Sequence, residues 1–434
     1  MTRNMRIWMT TMLLTLASGL WAQTAREAIA FNPKLSASNY CVYPDSVKAT
    51  MTPPPEGRRP FYISTYSRHG SRYVSQRKCY DIPMAVLTKG DSMGLLTPLG
   101  KSVMAELRAI IDDAEGRWGE MSGIGKQQLR HIATRMTQNF PEVFAGKARV
   151  KARSTTVNRC ILSMGTAVQQ LVAINPQLSI DMNASKADFW YLNHQDRRLR
   201  QYKTPQVAKA FDEYSEKRIV NERLMAQLFT QPDSISPDDQ KWLNYYLIKT
   251  ALIQQNTHMN KRSQLMTLFS EDDLHRFWQI ENVWWYVQHG FTPLNGSQQP
   301  YTQRHLLRKI IHEADSCILL PEPGAQLRFG HETVLLPLAC LLGLNGYDYQ
   351  TDNLEDLEHH GWWACLIFPM ASNIQFVFYR KSPRDSDVIF KILLNEQEAT
   401  LPLPTDMAPY YHWRDFRNHY LKMLDDYEAV SGKQ

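Results

Sequence analysis

The 434-residue sequence predicts an α/β fold that is interrupted by an all-helical insertion. Segments typical of strands alternate with segments of helical periodicity in both the early and the late parts of the chain. Between residues 186 and 300 the strand patterns disappear and helical patterns dominate. We therefore expect a core domain built from residues 23–185 and 301–434, with residues 186–300 inserted as a helical cap. Hydrophobic residues make up 43% of the chain and charged residues 21%, as in ordinary globular proteins.

The first 22 residues have the layout of a secretory signal peptide. Arg3 and Arg6 form a basic start, an apolar run over residues 7–20 follows, and Ala22 is a small residue at a cleavage point. A short membrane anchor is the alternative, but the run is brief and no later stretch is long and apolar enough to span a bilayer. The sequence thus predicts a periplasmic or secreted protein without a membrane anchor.

The charge balance favours a small anionic substrate over nucleic acid. The formal net charge is +6, and it falls to +4 without residues 1–22, which hold two arginines and no acids. No long run of lysine and arginine and no aromatic-basic stripe is present, so nucleic-acid binding is not expected. The sequence carries no signal for the oligomeric state.

The six cysteines leave two interpretations open. None forms a Cys-x-x-Cys pair, and six cysteines allow 15 pairings in an exported chain. Cys160 and Cys340 lie in apolar helical stretches and are equally consistent with buried thiols.

The first part of the core begins with a strand and continues through helices to a second strand and helix. The segment FYISTYS (61–67) is rich in β-forming residues and predicts a strand. Apolar residues at helical spacing predict helices within 95–118 and 124–144. The segment ARVKARS (148–154) alternates like a strand, and residues 156–172 have an apolar helix face.

Serine caps open two helices within the predicted insertion. Ser236 precedes Pro237 and an acidic first turn, and Ser270 opens a helix for which Gly290 is the expected stop. The basic stretch QDRRLRQYK (195–203) either contacts additional phosphates or forms a solvated helix face.

The second part of the core returns to alternating strands and helices. Residues 302–314 and 334–346 have helical patterns. The segments AQLRF (325–329), WACLIFPM (363–370) and NIQFVFYR (373–380) predict strands.

Three predicted strands pass through short charged bends into predicted helices. The charged residues of these bends are Arg68, His69 and Arg72 in the first, Arg159 in the second, and His331 and Glu332 in the third. Ligands of open α/β sheets bind beyond the carboxyl ends of the strands, where helix N-termini favour anions. Arginine forks bind phosphate oxygens in pairs, so the combination predicts a phosphate site.

These bends resemble the motifs of the histidine acid phosphatases. RHGSR (68–72) resembles the RHGxR signature of that family, and RSTTVNRC (153–160) resembles its second arginine segment. GHET (330–333) is similar to its C-terminal acid motif, and residues 119–136 to its G-E-L-T-x-x-G helix start. The sequence is similar to bacterial relatives of the multiple inositol-polyphosphate phosphatases and phytases, and it is identified as a member of branch 2 of the histidine phosphatase superfamily.

The resemblance implies a phosphoglycerate-mutase-like α/β core with an inserted all-α cap and a phosphomonoesterase activity. The substrates would be phytate and other inositol polyphosphates or sugar phosphates. His69 would form a phosphohistidine and Glu332 would protonate the leaving alcohol. The residues that would hold the phosphate are Arg68, Arg72, Arg159 and His331. No metal or organic cofactor is expected.

Two motifs depart from the family pattern. Tyr73 and Val74 follow Arg72 where the first motif often ends R-x-P. Glu332 stands directly after His331, in the place of the aspartate of the His-Asp motif, whereas the inositol-polyphosphate branch has His-Ala-Glu. The motif therefore does not distinguish between the substrate branches.

Two other functions share part of this pattern. A phosphoglycerate-mutase-like phosphotransferase also uses an RHG histidine, but its cytosolic substrates disagree with the export signal. A non-catalytic, anion-binding envelope protein would have no need of the full set of histidines, arginines and acid. Phosphate release from a generic aryl phosphate distinguishes these functions.

Overall fold

A computed structural model describes residues 24–431 except residues 46, 48, 49, 195 and 220. The predicted signal peptide lies outside these described residues. The described part of the chain contains no helix that is both long enough and apolar enough to cross a membrane. One eight-stranded sheet with helices around it forms the core, which confirms the predicted α/β class.

The sheet is mixed, with parallel strands on one side and antiparallel strands on the other. The strands are β1 (Arg59–Arg68), β2 (Arg149–Ser154), β3 (Ser179–Ala184), β4 (Gly324–Gly330), β5 (Asn373–Arg380), β6 (Ile389–Leu394), β7 (Gln397–Ala399) and β8 (Tyr411–His412). Their order is β3-β2-β4-β1-β5-β6-β7, and β8 pairs with β6. Strands β3, β2, β4 and β1 are parallel, whereas β5 is antiparallel to β1 and β6 to β5.

Helices cover both faces of the sheet, and a further helical layer has a hydrophobic core of its own. The α-helices of the described residues are α1 (Ala25–Phe31), α2 (Lys78–Ser92), α3 (Pro98–Ala114), α4 (Gly123–Asn139), α5 (Asn158–Ile174), α6 (Phe189–Leu192), α7 (Pro205–Ile219), α8 (Glu222–Leu228), α9 (Pro237–Ile253), α10 (Glu271–His289), α11 (Arg304–Cys317), α12 (Glu332–Leu341), α13 (Ala364–Ile367) and α14 (Trp413–Ser431).

The sheet buries both faces, as parallel strands in α/β proteins do. Tyr62 and Tyr66 of β1 pack on the face that is covered by α11, α12 and α14. Ile63, which points to the opposite face, packs with α4 and α5. The period-2 alternation of side chains along a strand thus serves two cores.

The helical layer draws on more of the chain than the predicted insertion. Helices α2 and α3 pack with α8, α9 and α10, and Leu87, Leu107, Leu228 and Leu247 are fully buried there. Residues 78–114 therefore share a core with residues of the 186–300 segment, so the domain division drawn from the sequence stays a prediction.

One predicted strand is wrong. The segment 363–370 contains the short helix α13 instead, because the Ala364 N–H donates to Asn282 Oδ1 at 2.7 Å and the segment packs beside the helical layer. Short apolar runs do not distinguish a buried strand from a buried helix. All six cysteines are buried free thiols, which agrees with the interpretation as buried thiols and not with disulfide pairing.

Candidate active site

The three charged bends meet at one edge of the sheet. Strands β1 and β4 pair in register so that Arg68 lies opposite Gly330, and Ser154 of β2 lies opposite Phe329. The pairing continues one residue further, since the His69 N–H donates to the Gly330 carbonyl at 3.0 Å. The residues that follow each strand are therefore brought together, as expected for carboxyl ends of parallel strands.

Glu332 lies at the centre of the predicted site residues. Its Oε2 is 3.2 Å from Arg68 Nε and 3.4 Å from His69 Nε2, and its Oε1 is 3.8 Å from Arg72 Nη2. The rings of His69 and His331 are 5.9 Å apart in an edge-on arrangement. The acid of the third bend thus reaches the histidine of the first.

Gly330 is needed for this close approach. A Cβ at this position would lie 1.9 Å from the Tyr66 hydroxyl oxygen. That hydroxyl accepts a hydrogen bond from the His331 N–H at 3.2 Å and donates to the Leu192 carbonyl at 3.1 Å. The absence of a side chain at 330 lets Tyr66 fix the start of α12 above β1.

His69 is held as a neutral imidazole with a free nitrogen. Its Nδ1 lies 2.9 Å from the Gly70 carbonyl, which can only accept, so Nδ1 carries the proton. Among the described residues Nε2 has no hydrogen-bond partner, although Glu332 lies close. Burial, reinforced by the charges of Arg68 and Arg72, lowers the pKa of His69 to about 3 in spite of Glu332. Nε2 therefore holds a lone pair even in mild acid.

The arginines keep donors directed at the site. Arg68 is fully buried, and its Nη1 donates to the carbonyls of Asn39 and Phe368 at 2.6 and 2.8 Å. Burial lowers the pKa of Arg68 to about 10, so the guanidinium remains charged. In the described part of the chain, Arg68 Nη2, Arg72 Nε and Arg159 Nε are buried nitrogens without a hydrogen-bond partner. Buried unpaired donors of this kind are costly unless an anion binds them.

Glu332 is ionised when the site holds no substrate. Burial pushes the pKa of its carboxyl up, but Arg68, the contact with His69 and the charge of Arg72 hold that pKa well below its usual range. Burial has the opposite effect on His331, since with the nearby arginines it lowers the pKa of this imidazole to about 4.

The site suits an anion better than a metal ion. One ligand atom each from His69, His331 and Glu332 lie within 4.8 Å of one another, a spacing that could hold a cation. The guanidinium groups that already contact the carboxylate would repel such a cation, whereas they attract phosphate oxygens.

Several site residues carry no signal in the sequence. Asn39 contacts Arg68 from the N-terminal segment, and Tyr40 of the same segment accepts from Arg72 Nη1 at 3.2 Å. Asn256, from the helical layer, accepts from the Ser71 hydroxyl at 2.7 Å and donates to the Tyr40 carbonyl at 2.6 Å. These contacts join segments that lie far apart in the chain, and the N-terminal segment has no periodicity that would have revealed its role.

The basic stretch, which the structure describes over residues 196–203, does not contact the predicted site residues. Arg198 pairs with Asp196 at 3.2 Å, and no hydrogen bond or ion pair of the described residues links the stretch to the six predicted site residues. Burial and Lys203 lower the pKa of His289 to about 3, while Glu332 raises it. His289 is therefore within electrostatic reach of both Lys203 and Glu332.

Known proteins are similar to this chain both in sequence and in fold. Residues 63–395 match the profile of the histidine phosphatase superfamily, branch 2. The chain belongs to this family. Multiple inositol polyphosphate phosphatase 1 of Gallus gallus is 24% identical over 314 residues, which cover 66% of this chain and 67% of the relative. The Homo sapiens protein of the same name is 23% identical over 425 residues, which cover 88% of this chain and 81% of the relative.

Two solved structures share the fold of this chain. The multiple inositol polyphosphate phosphatase of Bifidobacterium longum, in complex with inositol hexasulfate, aligns with a TM-score of 0.75 at 18% identity, covering 89% of this chain and 97% of its own. The phytase of D. castellii aligns with a TM-score of 0.62 at 13% identity, covering 90% and 85%. The predicted family and enzyme class are confirmed, and this member of the histidine phosphatase superfamily is a phosphatase of the histidine acid type.

Proposed function

We propose that this histidine phosphatase is an exported phosphomonoesterase that hydrolyses inositol polyphosphates through a phosphohistidine on His69. The observation that carries the proposal is the neutral, buried His69, whose unpartnered Nε2 lies among arginine nitrogens that also lack partners. The names of the related proteins support inositol polyphosphates as the substrate class.

In the first step the Nε2 lone pair of His69 attacks phosphorus, and the bond between phosphorus and the leaving oxygen breaks. The leaving oxygen takes a proton from the Glu332 carboxyl and departs as the alcohol. The imidazole gains positive charge, which the Gly70 carbonyl stabilises through the 2.9 Å hydrogen bond from Nδ1. Arg68, Arg72 and Arg159 neutralise the charge on the phosphoryl oxygens.

Glu332 needs a proton before it can act as the acid. In the free site the carboxylate is ionised because Arg68 and Arg72 contact it. A bound phosphate draws these guanidinium groups to its own oxygens and brings negative charge beside the carboxylate. Both effects raise the pKa of Glu332, so a proton is taken up with the substrate in mild acid.

In the second step a water molecule attacks phosphorus from the side that the alcohol has left. Glu332, now ionised, accepts a proton from this water, the bond between Nε2 and phosphorus breaks, and inorganic phosphate is released. His69 returns to its neutral form and Glu332 to its protonated form. When phosphate leaves, Arg68 and Arg72 contact the carboxyl again, and Glu332 releases the proton that it took up with the substrate.

The phosphohistidine is tested by trapping it. We expect a denaturing alkaline quench with labelled phytate to leave phosphate on the wild-type protein in a bond that is stable in alkali and is broken by later treatment with acid. His69→Ala should lose the label and about three orders of magnitude or more of turnover, with its fold intact. His419→Ala, at an exposed histidine, is the matched control and should keep both. An active, labelled His69→Ala protein would refute the assignment.

Export is tested separately by the mass of the mature chain. Cleavage after Ala22 should give an N-terminus at Gln23, within a few residues, in protein from the envelope or the medium. A full-length mass in the cytosolic fraction would contradict export and leave the trapping experiment unaffected.

A further inference from the structure

Thr155 is a buried hydroxyl residue that the proposed reaction does not use. It lies one residue beyond β2, and its N–H donates to the Phe329 carbonyl at 3.1 Å, which extends the ladder between β2 and β4 to the edge of the site. The residue has no exposed surface, and its Oγ1 lies 3.2 Å from His331 Nε2. The sheet therefore holds this hydroxyl against the imidazole.

Cys160 is the second neighbour of the same ring. Its Sγ lies 3.3 Å from the Gly330 carbonyl, and 3.8 and 3.7 Å from Nδ1 and Nε2 of His331. Burial raises the pKa of Cys160 to about 11, so the group stays a thiol. The Cys160 proton is donated to the carbonyl, and the sulfur lies no nearer than 3.7 Å to either ring nitrogen. The 3.2 Å approach of the Thr155 hydroxyl is therefore the shorter of the two contacts that His331 Nε2 makes with these neighbours.

We propose that Thr155 is a positioning residue that donates its hydroxyl proton to His331 Nε2 and thereby places the ring proton on Nδ1. A neutral imidazole has one N–H and one lone pair, so an acceptor at Nε2 requires a donor at Nδ1. Nδ1–H is then the single donor that the ring offers to a phosphate oxygen. The proposal rests on the proposed phosphatase function, because it assigns His331 the role of a phosphate donor.

Removing the Thr155 hydroxyl should lower activity because His331 loses its fixed tautomer. Thr155→Val keeps the shape of the side chain but lets the ring take either tautomer, one of which turns a lone pair toward the anion. We expect kcat/KM on phytate to fall about 10–100-fold near neutral pH. Thr155→Ser restores a hydroxyl and should recover most of this loss.

The loss should depend on pH. Protonated His331 carries an N–H at both nitrogens, so the choice of tautomer no longer matters, and the defect of Thr155→Val should shrink as the pH falls toward 4. A merely structural defect would be the same at every pH. The titratable or charged groups that face the ring are Glu332, Arg159, Arg68, Arg72, Cys160 and His69. These groups are present both in the wild type and in Thr155→Val. The ratio of the two profiles of kcat/KM against pH therefore isolates the effect of the hydroxyl.

The experiment is a double-mutant cycle with wild type, Thr155→Val, His331→Ala and the double variant. If Thr155 acts through His331, then Thr155→Val should have no further effect in the His331→Ala background. Equal activity of Thr155→Val and wild type, a loss that is independent of pH, or losses that multiply would overturn the proposal.

A second measurement keeps the test independent of catalysis. Nitrogen NMR of the histidine rings, assigned with His331→Ala, reads the tautomer directly in the free protein. Nδ1–H at His331 in wild type and its loss in Thr155→Val would support the proposal, and Nε2–H in wild type would overturn it. If the wild type hydrolyses no phosphate ester, the proposed function fails, and this measurement still decides the role of Thr155.

Discussion

Replacing Glu332 by glutamine removes the proposed proton donor and leaves its shape in place. The amide oxygen can still accept from Arg68 Nε, as the carboxylate does at 3.2 Å. Phytate has a poor leaving group that needs a proton, so we expect kcat on phytate to fall about 10²–10⁴-fold. Nitrophenyl phosphate has a good leaving group, so the fall in kcat on this substrate should be smaller than that on phytate by about tenfold or more.

The same substitution should strengthen phosphate binding. In the free site the carboxylate occupies Arg68 and Arg72, at 3.2 and 3.8 Å, and a bound anion must displace it. Two charges about 4 Å apart interact by about 4 kcal/mol at an effective dielectric constant of 20, and the side chains of this cluster are at most 12% exposed. Even a fraction of that energy lowers the inhibition constant of inorganic phosphate by about tenfold or more. The lost activity should therefore come with tighter binding, a combination that misfolding does not produce.

The assay compares Glu332→Gln with Thr333→Val on phytate and nitrophenyl phosphate, with phosphate as inhibitor. Thr333 is the next residue of α12 and is only partly buried, so we expect kcat of Thr333→Val to stay within about threefold of the wild-type value on both substrates. Thermal unfolding checks that both variants fold. Equal losses on both substrates for Glu332→Gln, or a larger loss for Thr333→Val, would place the acid elsewhere.

Three further outcomes follow from the geometry. The profile of kcat/KM against pH should fall below about pH 3, where His69 of the free enzyme becomes protonated, and the profile of kcat should fall as rising pH deprotonates Glu332 in the complex. Gly330→Ala should push Tyr66 from the start of α12 and cost about 10²-fold in kcat/KM, whereas Gly165→Ala, which meets no atom within 4 Å, should leave activity unchanged. Burial raises the pKa of Glu313, but Arg328 and two lysines outweigh burial and lower that pKa to about 2. Glu313→Gln should therefore lower the free energy of unfolding at pH 7 by about 3 kcal/mol. The stabilisation by Glu313 is complete above the pKa of its carboxyl in the unfolded chain and is lost as the pH falls through the pKa in the folded protein. Denaturant titrations should therefore show the difference in unfolding free energy between wild type and Glu313→Gln disappearing between about pH 4.5 and 2. A difference that stays constant with pH would contradict a stabilising role for the ionised carboxylate.

Local patterns in the sequence predicted the scaffold of the site. The run 61–67 is a strand in the structure because its residues suit a pleated, buried ribbon. Ser236 and Ser270 cap helices as expected, since their hydroxyls accept from the N–H groups of Asp239 and Asp273. Such features depend on neighbours within a few residues, so the order of the chain is sufficient to predict them.

Strands were harder to predict where their formation depends on burial or on pairing with a neighbouring strand. Strand β6 (Ile389–Leu394) is buried along its whole length and has no alternation of apolar and polar residues, since Lys391 is its single polar residue. Strand β3 (Ser179–Ala184) is a polar edge strand that is defined by its pairing with β2. The segment 363–370 is also apolar but contains a helix, and its Ala364 N–H donates to Asn282 Oδ1 instead of to a neighbouring strand.

The sequence by itself placed the six charged residues in the bends that follow three strands, and only the tertiary structure decided which of them contact one another. The register of β1 with β4 brings Glu332 to His69, and 263 residues separate the two in the chain. Asn39 and Thr155 contact Arg68 and His331 through the fold alone. The protonation states depend on burial and on these contacts, which is why a histidine that titrates near pH 6.5 in water has a pKa of about 3 here.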